Sequence, residues 1–167
     1  MHAKRICLCG LFAALLCVCS WLCVPVGNMM FTLQTFAVLL ALGLSGGQWG
    51  TVSIIVYLAL GAVGLPVFSG FRGGLGMLFG ATGGFLWGFL TGGLAYRIAF
   101  KLSKSILFSM ILTLVVCYVT GAVWYQAFYL KGSLWAVLTT CVFPYLIPDA
   151  LKLALALFLT KRLKSIV

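Results

Sequence analysis

The sequence predicts an all-α integral membrane protein with six transmembrane helices, on three observations. Hydrophobic residues make up 64% of the 167 positions and charged residues 7%, far from the balance of soluble domains. The apolar residues lie in long unbroken runs rather than in the alternating pattern of a barrel strand, and a helical span takes about 20 of them. The eleven Lys and Arg residues cluster at the ends of those runs, as the positive-inside rule produces. A net charge of +10 distributed in this way does not form the basic stripe of a nucleic-acid binder, and no nucleic-acid partner is expected.

The first span is expected over residues 6–26. Its opening, "MHAKRICLCGLFAALLCVCSW", imitates a secretory signal with Lys4 and Arg5 ahead of an apolar stretch, but no small-x-small step closes it; a retained helix is expected. Leu16 precedes Cys17 where a lipoprotein site needs a small residue. Pro25 and the polar Gly27-Asn28 step end the span. A short second span covers 31–44, and Thr32, Gln34 and Thr35 at its start give it a polar entrance. After "SGGQWG" the third covers 51–66, and the glycine-rich "VFSGFRGGLG" carries Arg72.

The fourth span, 77–99, has Arg97, Lys101 and Lys104 at its end, and the fifth, 106–125, is followed by a loop with Lys131. The sixth covers 134–160, which would reach roughly 40 Å at 1.5 Å per residue, longer than a bilayer core. Pro144 and Pro148 are therefore expected to kink or break it. Residues 1–167 form a single six-helix domain. Six spans put both termini on one side, where eight of the cations fall, against Arg72 and Lys131 on the other and Lys152 within a span. That count makes the termini cytoplasmic.

Gly76, Gly80, Gly84, Gly88 and Gly92 recur every fourth residue, which removes side chains along one groove and lets another helix approach closely. Gly10 and Ala14, and Ala13 and Cys17, form small-xxx-small pairs in the first span. The seven cysteines read as packing residues. Cys17 and Cys19 are two apart and diverge on a helix, and no C-x-x-C or histidine partner completes a metal set.

Asp149 is the chain's single acid, and it sits in "FPYLIPDALKLALALF" with Lys152 three residues on. Both project from one helix face. A charge at mid-bilayer costs about 2.5–3.5 kcal/mol, and a buried ion pair is weak evidence for stability, so a polar ligand pocket is the favoured reading over a purely structural pair. The carboxylate accepts N–H donors, the ammonium supplies a donor, and Arg72 offers a planar fork to a ligand carboxylate. Tyr145, one turn before Asp149, adds a hydroxyl or an aromatic wall, while Trp124 and Tyr125 suit an interfacial belt. One acid and a terminal histidine supply no acid–base pair, and no nucleophile triad or Gly-x-x-x-x-Gly-Lys-[Ser/Thr] loop occurs. The chain is not expected to be an enzyme or to need a cofactor, and ATP-driven transport would need another chain to hydrolyse the nucleotide.

Several stretches in order, "GLFAALL", "FTLQTFAVLLALGL", "YLALGAVGLPVFSGFRGGLG", "GATGGFLWGF" and "PYLIPDALK", resemble the BioY family, the biotin-binding S components of energy-coupling factor transporters. Together they cover nearly the whole chain except the fifth span. The resemblance implies six helices, biotin bound on the outward side of a bacterial inner membrane, and Asp149 and Lys152 as paired polar contacts; Gln34, at the polar entrance of the second span, is a further expected ligand contact. Arg72 matches an arginine or polar position of the glycine-rich loop. It also implies a transmembrane T subunit and ATPase subunits as partners, met through Gly10 and Ala14 of the first helix. The chain departs from the family at Ala81, where proline is usual, and at Gly10, where alanine is. Gly10 leaves both modes open, a component of an energy-coupling factor transporter or a solitary biotin transporter; the alternative of another class is a proton-coupled small-molecule carrier in which Asp149 titrates.

Overall fold

Apolar segments in a bilayer must satisfy their backbone groups internally, and helices do so within one segment. The computed structural model describes residues 2–26, 29–129 and 134–164; Gly27-Asn28 and Lys131 lie outside them. In chain order the described elements are α1 (His2–Trp21), β1 (Cys23–Val26), β2 (Met29–Thr32), α2 (Gln34–Ala62), α3 (Leu75–Leu78), α4 (Gly83–Ser103), α5 (Ile106–Phe128), α6 (Leu134–Cys141) and α7 (Phe143–Leu163). Among them, Ala3–Trp21, Gln34–Ala62, Ile106–Phe128 and Phe143–Leu163 are long and apolar enough to cross a membrane.

The longest of these is not straight. Gly46 interrupts α2 at φ 73°, ψ 157°, a region that glycine enters without strain. A continuous helix would hold Gln34 and Tyr57 about 34 Å apart, yet Gln34 Nε2 donates to the Tyr57 hydroxyl. A Cβ added to Gly50 would lie 2.8 Å from the Ala41 carbonyl oxygen. α2 is therefore two antiparallel arms folded back at Gly46, in the place where the sequence separates its second and third spans.

Element boundaries differ from expectation at several places. The first helix ends at Trp21, and Cys23–Val26 pairs antiparallel with Met29–Thr32. Pro25 lacks an N–H and cannot continue a helical ladder, and this strand pair replaces both the end of the first expected span and the start of the second. The third span closes at Ala62 rather than at 66. The fourth is split into the single turn α3 and the long α4, with residues 79–82 between them. The sixth breaks at Val142, and Pro144 occupies the first turn of α7, where its missing N–H costs no hydrogen bond; Pro148 stays inside the helix.

α4 and α5 form the tightest helix pair. Lys104 closes α4 in the left-handed conformation, and the Ser105 side chain caps α5 by accepting from the Phe108 N–H. Gly84, Gly88 and Gly92 face α5, where added Cβ atoms would lie 2.3 Å from Trp124 Cβ, 3.0 Å from the Cys117 carbonyl oxygen and 3.0 Å from Thr113 Cγ2. Gly76 and Gly80, at the other end of the repeat, precede α4 and take no part in this groove. The core centres on α2, with Leu16, Leu39, Ile54, Tyr57 and Met110 buried together. On α7, Asp149, Lys152, Ala156 and Thr160 form the buried stripe, while Leu151 and Phe158 are exposed. The polar face of that helix points inward, the reverse of a soluble amphipathic helix.

Candidate functional site

The site is built where α7, the first arm of α2, α5 and the β2 strand converge. Asp149 and Lys152 are 4% and 6% exposed, and their charged groups meet at 2.7 Å from Nζ to Oδ1. Thr35, in the first turn of α2, serves both: its hydroxyl donates to Asp149 Oδ1 at 2.9 Å and accepts from Lys152 Nζ at 3.2 Å. Tyr118 of α5 donates its phenol to Asp149 Oδ2. β2 ends with the Thr32 carbonyl 2.6 Å from Lys152 Nζ and sets the Phe31 ring 4.0 Å from that ammonium, a cation–π contact.

The charges are thus largely satisfied within the protein. The three ammonium donors are directed at Thr32, Thr35 and Asp149, and a carboxylate offers about four lone-pair positions. Among the described residues three are engaged, leaving one open on Oδ2. The sequence left the carboxylate with only Lys152; the fold supplies Thr35 and Tyr118 from other helices and leaves that single acceptor position.

These groups line a pocket in which about 90 Å³ is open to the centres of water-sized molecules. Much of the remaining lining is apolar: Phe85, Leu86 and Phe89 of α4, Leu114 of α5, Met77 of α3, and Phe68 from the connection after α2. Tyr145 lines it too and stacks with Phe31 at a centroid distance of 6.1 Å, and its buried hydroxyl has no hydrogen-bond partner among the described residues. Gln34 also lines the pocket, with its amide nitrogen committed to Tyr57, whose own hydroxyl donates to the Val67 carbonyl. A few polar groups within a mostly apolar lining is the usual constitution of a small-molecule site.

Of the residues singled out by sequence, Asp149, Lys152, Tyr145 and Gln34 meet at this pocket, and Arg72 does not line it. Arg72 is exposed, and its main chain pairs with Phe68 through Phe68 N to Arg72 O at 2.8 Å. Sequence reasoning passed over Tyr118 and Phe31. Tyr118 carried a weak signal, a phenol within the apolar "LVVCYVT" run, since a buried tyrosine hydroxyl usually finds a partner. No group of three or more metal-ligating side chains occurs among the described residues, and the seven cysteines are free thiols.

The profile of the BioY family matches residues 1–167. The chain belongs to the BioY family. A probable biotin transporter BioY from Pyrococcus horikoshii is 34% identical to it over 173 aligned positions, 99% of each chain. The biotin transporter BioY of Thermotoga maritima is 47% identical over 77 residues, 46% of either chain, so that match spans about half the relative's length. A crystal structure of the S-component for biotin from an ECF-type ABC transporter superposes with a TM-score of 0.89 at 24% identity, covering 98% of this chain and 92% of that one, which shows a shared fold. As a BioY-family member the chain is an integral membrane protein of a transporter family and not an enzyme.

Proposed function

We propose that the chain captures biotin with high affinity from the outward side of the membrane and serves as the substrate-binding component of an ECF-type transporter. The observation that carries this reading is that Asp149, with one acceptor position on Oδ2 left open among the described residues, and Tyr145, whose buried hydroxyl has no partner among them, line one pocket with mostly apolar side chains. A ureido ring offers an N–H to the first and a carbonyl oxygen to the second. The thioether ring and aliphatic chain then lie along Phe85, Leu86 and Phe89. Arg72, on the loop that supplies Phe68 and Ser69 to the pocket wall, is the cation offered to the ligand carboxylate at the entrance, and Gln34 fixes the floor through Tyr57.

The architecture behind this reading is one domain of six crossings: α1, the two arms of α2, α4, α5 and α7. The eight cations at the terminal side support a cytoplasmic location for both termini. Gly10 and Ala14 are exposed on α1, and a Cβ on Gly10 would meet nothing within 4 Å, so this face is the one offered to a transmembrane T subunit that couples the chain to ATPase subunits.

A thermal-shift panel of vitamins on the detergent-purified chain tests the ligand, because a specific ligand stabilises the state it binds. Biotin is expected to raise the midpoint while thiamine and riboflavin leave it unchanged; a response to either of those alone contradicts the assignment. Uptake in cells depleted of ATP separates the energy sources. Loss of uptake supports the ECF mode, whereas uptake that persists without ATP and collapses with the proton gradient supports a proton-coupled carrier using Asp149.

A further inference from the structure

At the end of the bundle away from the biotin pocket, the turn that reverses α2 lies between two clefts of about 620 and 350 Å³. Lys4 and Arg5 of α1 line the first, and Arg97, Lys101 and Lys104 of α4 and its cap line the second. Ser45 and Gln48 border both. The turn is seated firmly: Gly47 rests on the Arg97 backbone, where an added Cβ would lie 2.9 Å from Cα, and on the α1 side Cys9 Sγ donates to the Trp49 carbonyl while the Arg5 guanidinium lies 5.8 Å from the Trp49 ring.

Five cations thus surround one turn, and the chain's single acid lies at the other site, engaged with Lys152. The Ser45 hydroxyl is buried without a hydrogen-bond partner among the described residues. It borders both clefts, where an acceptor oxygen would satisfy it. We infer that this saddle binds the phosphodiester headgroup of an anionic membrane lipid. A lipid rather than a free anion fits because the cations adjoin exposed aliphatic surface. Arg97 and Lys101 lie one turn apart on α4 with Lys104 at its cap, and Ile98 and Leu102, one residue on from Arg97 and Lys101, are 62% and 80% exposed. Ile6 is likewise exposed beside Arg5. A headgroup in the saddle lays its acyl chains on those side chains, and basic pockets between helices are a known means of holding anionic headgroups.

The test compares thermal midpoints of the whole chain in nanodiscs of phosphatidylcholine alone and of phosphatidylcholine with phosphatidylglycerol. Phosphatidylglycerol is expected to raise the midpoint of the wild type. Arg97→Gln/Lys101→Gln should lose most of that increment, whereas Lys161→Gln/Arg162→Gln, which removes the same charge outside the clefts, should retain it. Ser45→Ala should be neutral or stabilising in phosphatidylcholine and show a reduced increment with phosphatidylglycerol. Equal losses in the two charge variants would mean diffuse surface attraction and overturn the site. The same shift from inorganic phosphate in phosphatidylcholine discs would overturn the lipid assignment in favour of a free anion. Biotin-induced stabilisation should persist in every variant, so failure here is separable from failure of the biotin reading.

Discussion

Tyr118 and Asp149 meet across two helices, the phenol of α5 donating to Oδ2 of the α7 carboxylate, while Lys152 and Thr35 hold Oδ1. The two oxygens are therefore unlike. Oδ1 belongs to the protein, and Oδ2 retains room for one more donor. Tyr118 fixes where that room lies. Tyr118→Phe keeps the ring and removes the donor, and a hydrogen bond to a charged group contributes about 1.5–3 kcal/mol. Biotin affinity, read by isothermal titration, should fall about tenfold or more; an unchanged dissociation constant would remove Tyr118 from the positioning of the carboxylate.

The ion pair makes a second, separable expectation. Lys152→Met strands Asp149 as an uncompensated buried charge, at a cost of about 3–5 kcal/mol. Unfolding should reveal a strongly destabilised protein. The double variant Asp149→Asn/Lys152→Met should recover much of the stability and still fail to bind biotin. Wild-type binding in the double variant would make the pair purely structural.

Thr35 contacts both charges, so Thr35→Val, nearly the same size, withdraws a donor from one and an acceptor from the other. Stability should fall by about 1–3 kcal/mol, the cost of unsatisfied buried groups, and Thr35→Ser should restore most of it. A thermal midpoint for Thr35→Val equal to wild type would show that the two groups find other partners.

Glycines in two helices should behave oppositely. Gly84→Ala drives a methyl group to within 2.3 Å of Trp124 Cβ and should destabilise by about 1–3 kcal/mol as α4 and α5 separate. Gly10→Ala meets nothing within 4 Å and should be neutral or slightly stabilising, since alanine favours the helix. Gly10→Leu with Ala14→Leu should leave biotin binding intact in the isolated chain while abolishing uptake in cells. Normal uptake would move the partner contact off this face.

Much of this arrangement was legible in the sequence because local spacing encodes it. Asp149 and Lys152 are three apart and share a face, the glycines from Gly84 to Gly92 form a stripe, and Pro144 marks the break between α6 and α7. The repeat at Gly76 and Gly80 misled, because equal spacing says nothing about where a helix starts. The β1–β2 pair was hidden for a related reason. Val24 and Val26 continue an apolar run, and apolarity alone does not separate a short strand from a helix end. Tyr118 and Phe31 reach the charges only through the packing of α5 and β2 against α7, which no pattern within one segment records. Arg72 was legible as a cation on a glycine-rich loop, and that loop does reach the pocket through Phe68 and Ser69, while Arg72 itself is exposed beside it.

The most direct measurement is equilibrium binding of labelled biotin to the detergent-purified chain and to Asp149→Asn, with ligand-free thermal midpoints recorded for both. Asparagine keeps the shape but puts an NH₂ group on one side and removes the charge that receives the ligand N–H. The wild type should bind saturably, and the folded variant should bind at least about tenfold more weakly. Equal affinity in two folded proteins would contradict the account, because biotin would then be recognised without the one acceptor position that Tyr118, Thr35 and Lys152 leave open.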